Sequence, residues 1–264
     1  MSPTATMSPE PGSGSPRRPS VLSTGTRATR ILGILVLLAF GWLALFGLVF
    51  SPRDEVQKDW VRFLYLHVGS IFVSYMAFGV TACASALYLW KRTRSLVWDR
   101  VAGASAEIGV LFLCITLMTG SLWGKGTWGV YWTWDARLTT TALLLVLFIG
   151  YLALRAVDGD REVRAKRAAI AGLVAAADIP IVNQAINWWR TLHQGRTFRI
   201  LGEATIDGLM LFSVFVALIA FALLYVWLMI HRLRVAQMEE YLEAKGLEVA
   251  IAERLAEADP VTTP

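Results

Sequence analysis

Six long apolar runs, separated by short polar connections, constrain this chain more than any other feature of its sequence. The runs cover residues 31–50, 63–90, 101–123, 138–154, 168–186 and 206–230. A helix rises about 1.5 Å per residue, so about 20 apolar residues cross the hydrocarbon core of a bilayer. Only 17% of the residues are charged and 56% are hydrophobic, whereas soluble domains have about 25% charged residues. The sequence therefore predicts an all-α integral membrane protein, a bundle of about six transmembrane helices.

Basic residues mark every second connection. Those that follow the second and fourth runs are Lys91, Arg92, Arg94, Arg100, Arg155, Arg161, Arg164, Lys166 and Arg167. Short cytoplasmic loops are enriched in Lys and Arg, so both connections are expected on the cytoplasmic side. Further arginines precede the first run and follow the last, at Arg17, Arg18, Arg27, Arg30, Arg232 and Arg234. Both termini are therefore predicted to be cytoplasmic, and the odd-numbered connections to face the outer side.

The two ends of the chain differ from the apolar middle. Residues 1–29 are rich in Ser, Pro and Gly and predict a flexible cytoplasmic tail. Residues 30–232 are predicted to form the six-helix membrane domain. Residues 233–264 predict a cytoplasmic amphipathic helix and tail, because Glu and Lys alternate with apolar residues at roughly helical spacing over residues 238–258.

The sequence contains no candidate site for several classes of function. Cys83 and Cys114 lie far apart in apolar runs without a C-x-x-C pattern, which predicts two buried structural thiols and no redox or zinc site. No P-loop, G-x-G-x-x-G or H-E-x-x-H motif is present, so nucleotide hydrolysis and zinc-dependent hydrolysis have no candidate residues. Nucleic acid is not an expected partner.

The third connection, residues 121–140, reads SLWGKGTWGVYWTWDARLTT and is unusually rich in tryptophan. The tryptophans are Trp123, Trp128, Trp132 and Trp134, with glycines between them. This composition predicts an outer loop that lies flat and presents ring faces to a planar ligand such as a porphyrin or a quinone. It equally fits an interfacial loop whose tryptophans only anchor it. Asp135 either contacts the ligand or caps the helix that begins near Ala136.

Two of the three histidines are predicted at the outer side. His67 lies near the outer end of the second helix and His193 in the fifth connection, whereas His231 lies at the cytoplasmic end. Although helix packing is the common role of a membrane histidine, two neutral imidazoles from separate segments could ligate one haem iron from opposite faces. Cations available for haem carboxylates are Lys125, Arg137, Arg190, Arg196 and Arg199. The same cations could instead bind lipid headgroups or a partner protein.

Three acidic residues lie in the predicted helices, namely Glu107, Asp178 and Asp207. A carboxylate in a bilayer faces a cavity or a partner group, so a proton pathway is one interpretation. We favour structural roles, because a single carboxylate in each helix makes no relay. Asp178 and Pro180 together predict a local break in the fifth helix.

The segment WGKGTWGVYWTWDARLT, residues 123–139, resembles the tryptophan-rich WWD signature of a haem-handling family. The segments YLHV and NWWRTLHQG resemble the family's surroundings of its two outer histidines. The ending WDARLT makes the chain similar to the haem exporter protein C (CcmC) branch. The resemblance covers about residues 31–230. The chain departs from the pattern at Gly69, where proline is common, and in its two terminal extensions.

The resemblance implies a non-catalytic function in c-type cytochrome biogenesis at the bacterial inner membrane. Haem b would be held non-covalently at the periplasmic face by His67 and His193, against Trp123, Trp128, Trp132 and Trp134 with Asp135 and Arg137. It would then pass to a periplasmic haem chaperone. ABC transporter subunits and a small one-helix membrane subunit are the implied partners. The alternatives are a haem lyase that attaches haem to apocytochrome c and a self-contained haem transporter.

Overall fold

The computed structural model describes residues 25–193 and 206–258, and within these ranges the chain is helical without a β-strand. The helices are α1 (Arg27–Ala44), α2 (Phe63–Leu89), α3 (Leu96–Trp128), α4 (Ala136–Arg155), α5 (Arg161–Ala176), α6 (Asp178–Trp188) and α7 (Gly208–Ala258). Six helical stretches of this part of the chain are long and apolar enough to cross a membrane. The predicted all-α membrane bundle of six spans is confirmed.

Two spans are extended by a turn of different helical geometry. The first continues from α1 into a π-helical turn, Leu45–Phe50, and the second begins with a 3₁₀ turn, Asp59–Arg62, before α2. A capping box starts α1, in which the side chains of Thr26 and Thr29 each accept a hydrogen bond from the other residue's backbone N–H. Residues 1–24 of the predicted tail lie outside the described ranges.

The fifth span is broken, as predicted from Asp178 and Pro180. Helix α5 ends at Ala176, and α6 begins at Asp178, so that Pro180 lies in the first turn of α6. Proline is tolerated there because the first backbone N–H groups of a helix have no partner within that helix.

The last span is longer than the sequence pattern suggested. We predicted an amphipathic helix over residues 238–258, and this segment is helical but continuous with the sixth span, since α7 runs from Gly208 to Ala258 without a break. No proline interrupts residues 208–258, so the sequence contains no strong helix breaker at the membrane boundary. Residues 259–264 lie outside the described ranges.

Helices α2 and α3 pack along each other and form the centre of the bundle. Helix α7 packs on α1, α2 and α3, whereas α4 and α5 pack on the other side, where the rings of Phe78 and Phe148 stack at a centroid distance of 3.7 Å. Gly69 permits the close approach of α7, because a Cβ atom there would lie 2.5 Å from the ring of Phe221. The residue that departs from the family pattern is thus a packing position.

Ion pairs join the helices at the end of the bundle that carries the basic connections, which we call the arginine-rich end. Arg155 of α4 binds both carboxylate oxygens of Asp99 in α3, and Arg232 of α7 binds both oxygens of Glu107. Glu107 therefore has a partner group, which agrees with the structural role that we favoured for it. Asp207 also has a structural role, because its Oδ1 accepts from the backbone N–H of Leu209 at 2.8 Å and caps α7.

The prediction that both cysteines are buried is wrong. Cys83 and Cys114 are exposed on the outer surface of the bundle. In a membrane helix the lipid-facing side is as apolar as the side that packs on other helices, so an apolar run does not reveal which of its residues are covered by protein.

Candidate functional site

A cavity of about 560 Å³ opens at the opposite end of the bundle, which we call the tryptophan-rich end. Its walls come from α2, α3, α4 and α6, together with Val56, Gln57, Trp132 and His193. Small-molecule and cofactor sites usually measure about 300–1,000 Å³. Helices α2 and α6 both line the cavity, but α6 packs mainly on α4 rather than on α2. The cavity therefore lies between α2 and α6.

His67 is held in one orientation by α3. Its Nδ1 lies 3.1 Å from the carbonyl oxygen of Thr116 and 3.3 Å from Oγ1 of Thr119. A carbonyl oxygen only accepts hydrogen bonds, so Nδ1 carries the proton and donates it. Nε2 is then the unprotonated nitrogen, with its lone pair available to a metal. A hydrogen bond from the second ring nitrogen is the usual way in which a ligating histidine is oriented.

His193 comes to the same cavity from the segment after α6. Its ring centroid lies 6.4 Å from that of His67. A bond between a metal and an imidazole nitrogen is about 2 Å long and the ring centroid lies about 1 Å behind that nitrogen, so two imidazoles on opposite sides of one metal have centroids about 6 Å apart. The separation of the two rings therefore fits a shared axial metal.

Three of the four predicted tryptophans line the cavity. Trp123 lies edge-on to His67 at a centroid distance of 5.8 Å, and Trp128 lies edge-on to His193 at 6.0 Å. Trp132 also lines the cavity, and its indole N–H is buried without a hydrogen-bond partner among the described residues. Trp134, however, is 80% exposed and does not line it.

The tryptophan-rich segment is largely helical, which corrects the predicted loop over residues 121–140. Helix α3 continues to Trp128 and ends at Gly129, whose positive φ of 79° suits glycine. Only residues 129–135 are irregular before α4 begins at Ala136. The interspersed glycines suggested a flat loop. In the bundle, however, α2 packs along α3 and supports the part of α3 that extends beyond its apolar run.

Asp135 and Arg137 occupy different places. Oδ1 of Asp135 accepts from the backbone N–H of Leu138 at 2.8 Å, so Asp135 is the N-cap of α4, one of the two roles considered. It does not line the cavity, whereas Arg137 does.

The other described cations predicted for the haem carboxylates do not line the cavity. Lys125 donates to the carbonyl oxygen of Gly129 at 2.9 Å. Arg190 is exposed and does not line the cavity either, and Arg196 and Arg199 lie outside the described residues.

Several lining residues were not singled out from the sequence. Ile71 and Tyr75 follow His67 at intervals of four residues, so helical spacing could have placed them on one face of α2. Gln57 lies in the connection between the first and second spans, where its Oε1 accepts from the indole N–H of Trp123 at 2.8 Å. No pattern in the sequence indicates that contact.

The fold and the site together define a class, that of multispan membrane proteins in which two histidines and a tryptophan-rich segment surround one cavity. The sequence model of one family, heme exporter protein C, matches residues 14–247. The chain belongs to this heme exporter protein C (CcmC) family, whose members are membrane proteins of cytochrome c biogenesis.

Relatives from bacteria and plants agree with the family match. Heme exporter protein C of Haemophilus influenzae is 34% identical over 210 residues, which cover 80% of this chain and 85% of the relative. The protein of the same name from Bradyrhizobium diazoefficiens is 38% identical over 202 residues, 76% of this chain and 74% of the relative. A putative cytochrome c biosynthesis ccmC-like mitochondrial protein of Marchantia polymorpha is 32% identical over 191 residues, 70% and 80% of the two chains.

Proposed function

We propose that this protein binds haem at the periplasmic face of the bacterial inner membrane and delivers it to a periplasmic haem chaperone during c-type cytochrome biogenesis. Both termini would lie in the cytoplasm, with the tryptophan-rich end on the periplasmic side. ABC transporter subunits and a small one-helix membrane subunit are the proposed partners. The relatives' names, which refer to heme export and cytochrome c biosynthesis, support this proposal.

The observation that carries the proposal is the pairing of His67 and His193 in one cavity. Their ring centroids are 6.4 Å apart, close to the separation of about 6 Å expected for two imidazoles on opposite sides of one iron. The rings of Trp123 and Trp128 lie steeply inclined to the rings of His67 and His193, respectively. An aromatic wall next to an axial ligand suits a porphyrin, which is flat and largely apolar.

Polar groups at the cavity wall suit the two carboxylates of haem. Arg137 lines the cavity and can bind a carboxylate with a bidentate geometry. The indole N–H of Trp132 is buried without a protein partner among the described residues, and an acceptor on the ligand would satisfy it. We assign these two residues to the propionates.

Haem is the cargo in this proposal, so it is bound reversibly as haem b. Among the described residues that line the cavity none is a cysteine, so the site itself holds no thiol to which haem could become attached. Neutral imidazoles can be exchanged for a ligand of the chaperone. In this proposal the protein supplies binding and orientation, and it is not the catalyst of a covalent attachment.

The proposal is tested with the detergent-purified protein loaded with haem and mixed with the haem-free chaperone. We expect a low-spin spectrum typical of two imidazole ligands, followed by transfer of haem to the chaperone. In a parallel reaction, a C-x-x-C-H apocytochrome peptide replaces the chaperone. Covalent haem on that peptide would favour the haem lyase, and failure of the wild-type protein to bind haem would refute the proposal.

Replacing Gly120 with alanine is expected to disturb the first histidine without removing it. A Cβ atom at Gly120 would lie 2.8 Å from Cε1 of His67, so the ring must rotate away from its hydrogen bond to Thr116. A side chain forced about 30° from its rotamer costs about 1 kcal/mol, which corresponds to about a fivefold loss of haem affinity. Haem titration followed by absorption measures this change.

Gly150→Ala is the matched control, because a Cβ atom at Gly150 would meet nothing within 4 Å. Its haem affinity should equal that of the wild-type protein. Unchanged affinity in Gly120→Ala as well would show that the position of the His67 ring does not govern haem binding.

A further inference from the structure

Asp135 joins two parts of the site that are far apart in sequence. One carboxylate oxygen, Oδ1, caps α4 through the backbone N–H of Leu138 at 2.8 Å. The other, Oδ2, accepts from the hydroxyl of Thr191 at 2.6 Å and from the backbone N–H of Leu192 at 3.1 Å. The carboxylate thus connects the end of the tryptophan-rich segment to the residues directly before His193.

Thr191 extends this connection to the histidine itself. Its hydroxyl donates to Asp135, and the same oxygen accepts from the backbone N–H of His193 at 3.0 Å. A hydroxyl can do both, since it has one donor and two acceptor lone pairs. An unbroken chain of hydrogen bonds therefore runs from the N-terminus of α4 through Asp135 and Thr191 to the backbone of His193.

His193 needs such support because it lies outside any helix. It follows α6, which ends at Trp188, whereas His67 is held within α2. The hydrogen bonds to the Asp135 carboxylate are charge-assisted, which makes them about twice as strong as neutral ones. Asp135 itself does not line the cavity, so its carboxylate acts on the site through Thr191 and Leu192.

We propose that Asp135 and Thr191 are positioning residues that hold His193 at its distance from His67. The Asp of the tryptophan-rich segment would then complete the metal site by fixing the second histidine, without contacting the ligand. This inference rests on the proposed function, because it takes His193 as an iron ligand.

Two variants separate this role from helix capping. Asp135→Ser keeps an N-cap oxygen for α4, but the single hydroxyl of serine lacks the second oxygen that Thr191 and Leu192 require. Thr191→Val removes the hydroxyl and leaves the cap untouched. Thr191→Ser keeps the hydroxyl and should restore the wild-type result. Thr139→Val is the control for a Thr→Val change, because Thr139 is exposed and its side chain makes no hydrogen bond among the described residues.

The measurement is the spin state of bound ferric haem in each purified variant. We expect Asp135→Ser and Thr191→Val to bind haem with most of it high-spin and five-coordinate, because His67 remains and His193 is displaced. Added imidazole should restore the low-spin spectrum by taking the vacated position. In the haem-free protein, hydrogen exchange of the Leu192 amide should be about tenfold faster in Asp135→Ser, because a charge-assisted hydrogen bond is lost.

The outcomes distinguish this inference from the proposed function. A wild-type spectrum in Thr191→Val, beside a high-spin spectrum in His193→Ala, would overturn the positioning role and leave the ligand pair intact. Complete loss of haem in Asp135→Ser but not in Thr191→Val would also overturn the positioning role, because it would indicate direct contact between Asp135 and haem. A wild-type spectrum in His193→Ala would instead refute the ligand pair.

Discussion

Replacing both His67 and His193 with alanine is expected to abolish the low-spin haem spectrum and to lower the haem content of the purified protein about tenfold or more, because both axial ligands are lost. Either single variant should retain some haem as a five-coordinate, high-spin species. The two rings lie 6.4 Å apart in one cavity, so each should ligate iron from its own side. Absorption spectra of the oxidised and reduced proteins, with haem content per chain, measure the effect.

The matched control for this prediction is His231→Ala. His231 lies at the arginine-rich end, where its ring packs on Trp227 at a centroid distance of 4.5 Å. Its loss should leave the haem spectrum unchanged. Imidazole added to either single variant should restore the low-spin spectrum. A low-spin spectrum in His67→Ala or His193→Ala without added imidazole would contradict the assigned pair.

Replacing Arg155 with methionine is expected to lower the thermal midpoint of the detergent-solubilised protein by about 10 °C. Arg155 binds both oxygens of Asp99, and their side chains are only 19% and 10% exposed. Removing one partner of a buried pair leaves an uncompensated charge and costs about 3–5 kcal/mol. In a chain of this size each kcal/mol shifts the midpoint by about 2–4 °C. Intrinsic tryptophan fluorescence during heating reports the midpoint.

A second substitution distinguishes charge from packing. In the double variant Asp99→Asn/Arg155→Met no unpaired charge remains, so part of the lost stability should return. Arg53→Met is the control for an exposed pair, because the side chains of Arg53 and Asp59 are 72% and 50% exposed and such pairs contribute little. Equal midpoints for the wild-type protein and Arg155→Met would show that the Asp99–Arg155 pair does not stabilise the bundle.

Much of the fold could be predicted because it depends on local properties of the chain. The length of an apolar run decides whether a helix can cross a bilayer, and the lengths of the runs predicted all six spans. The break before α6 also has a local cause, since Asp178 and Pro180 favour the start of a helix. The cap of α4 by Asp135 was one of two roles that its position next to a helix start suggested.

Other features could not be predicted, because they depend on which faces of the helices meet. The apolar runs did not show that Cys83 and Cys114 lie on the outer surface, or that Glu107 would find Arg232 across the bundle. A lipid-facing position and a protein-facing position are equally apolar, so hydrophobicity cannot separate them. The contact between Gln57 and Trp123 likewise joins the first connection to α3, and the two segments have no shared pattern.

The sequence by itself determined the class of fold and the residue types of the candidate site, because spanning length, charged loops and a histidine or tryptophan at a given position are properties of short segments. Only the tertiary structure decided which of those residues meet. It brought His67 and His193 into one cavity, left Trp134 outside it, and placed the Asp135 carboxylate beside Thr191. These contacts span about 55 to 125 residues of sequence, and they form only when helices pack face to face.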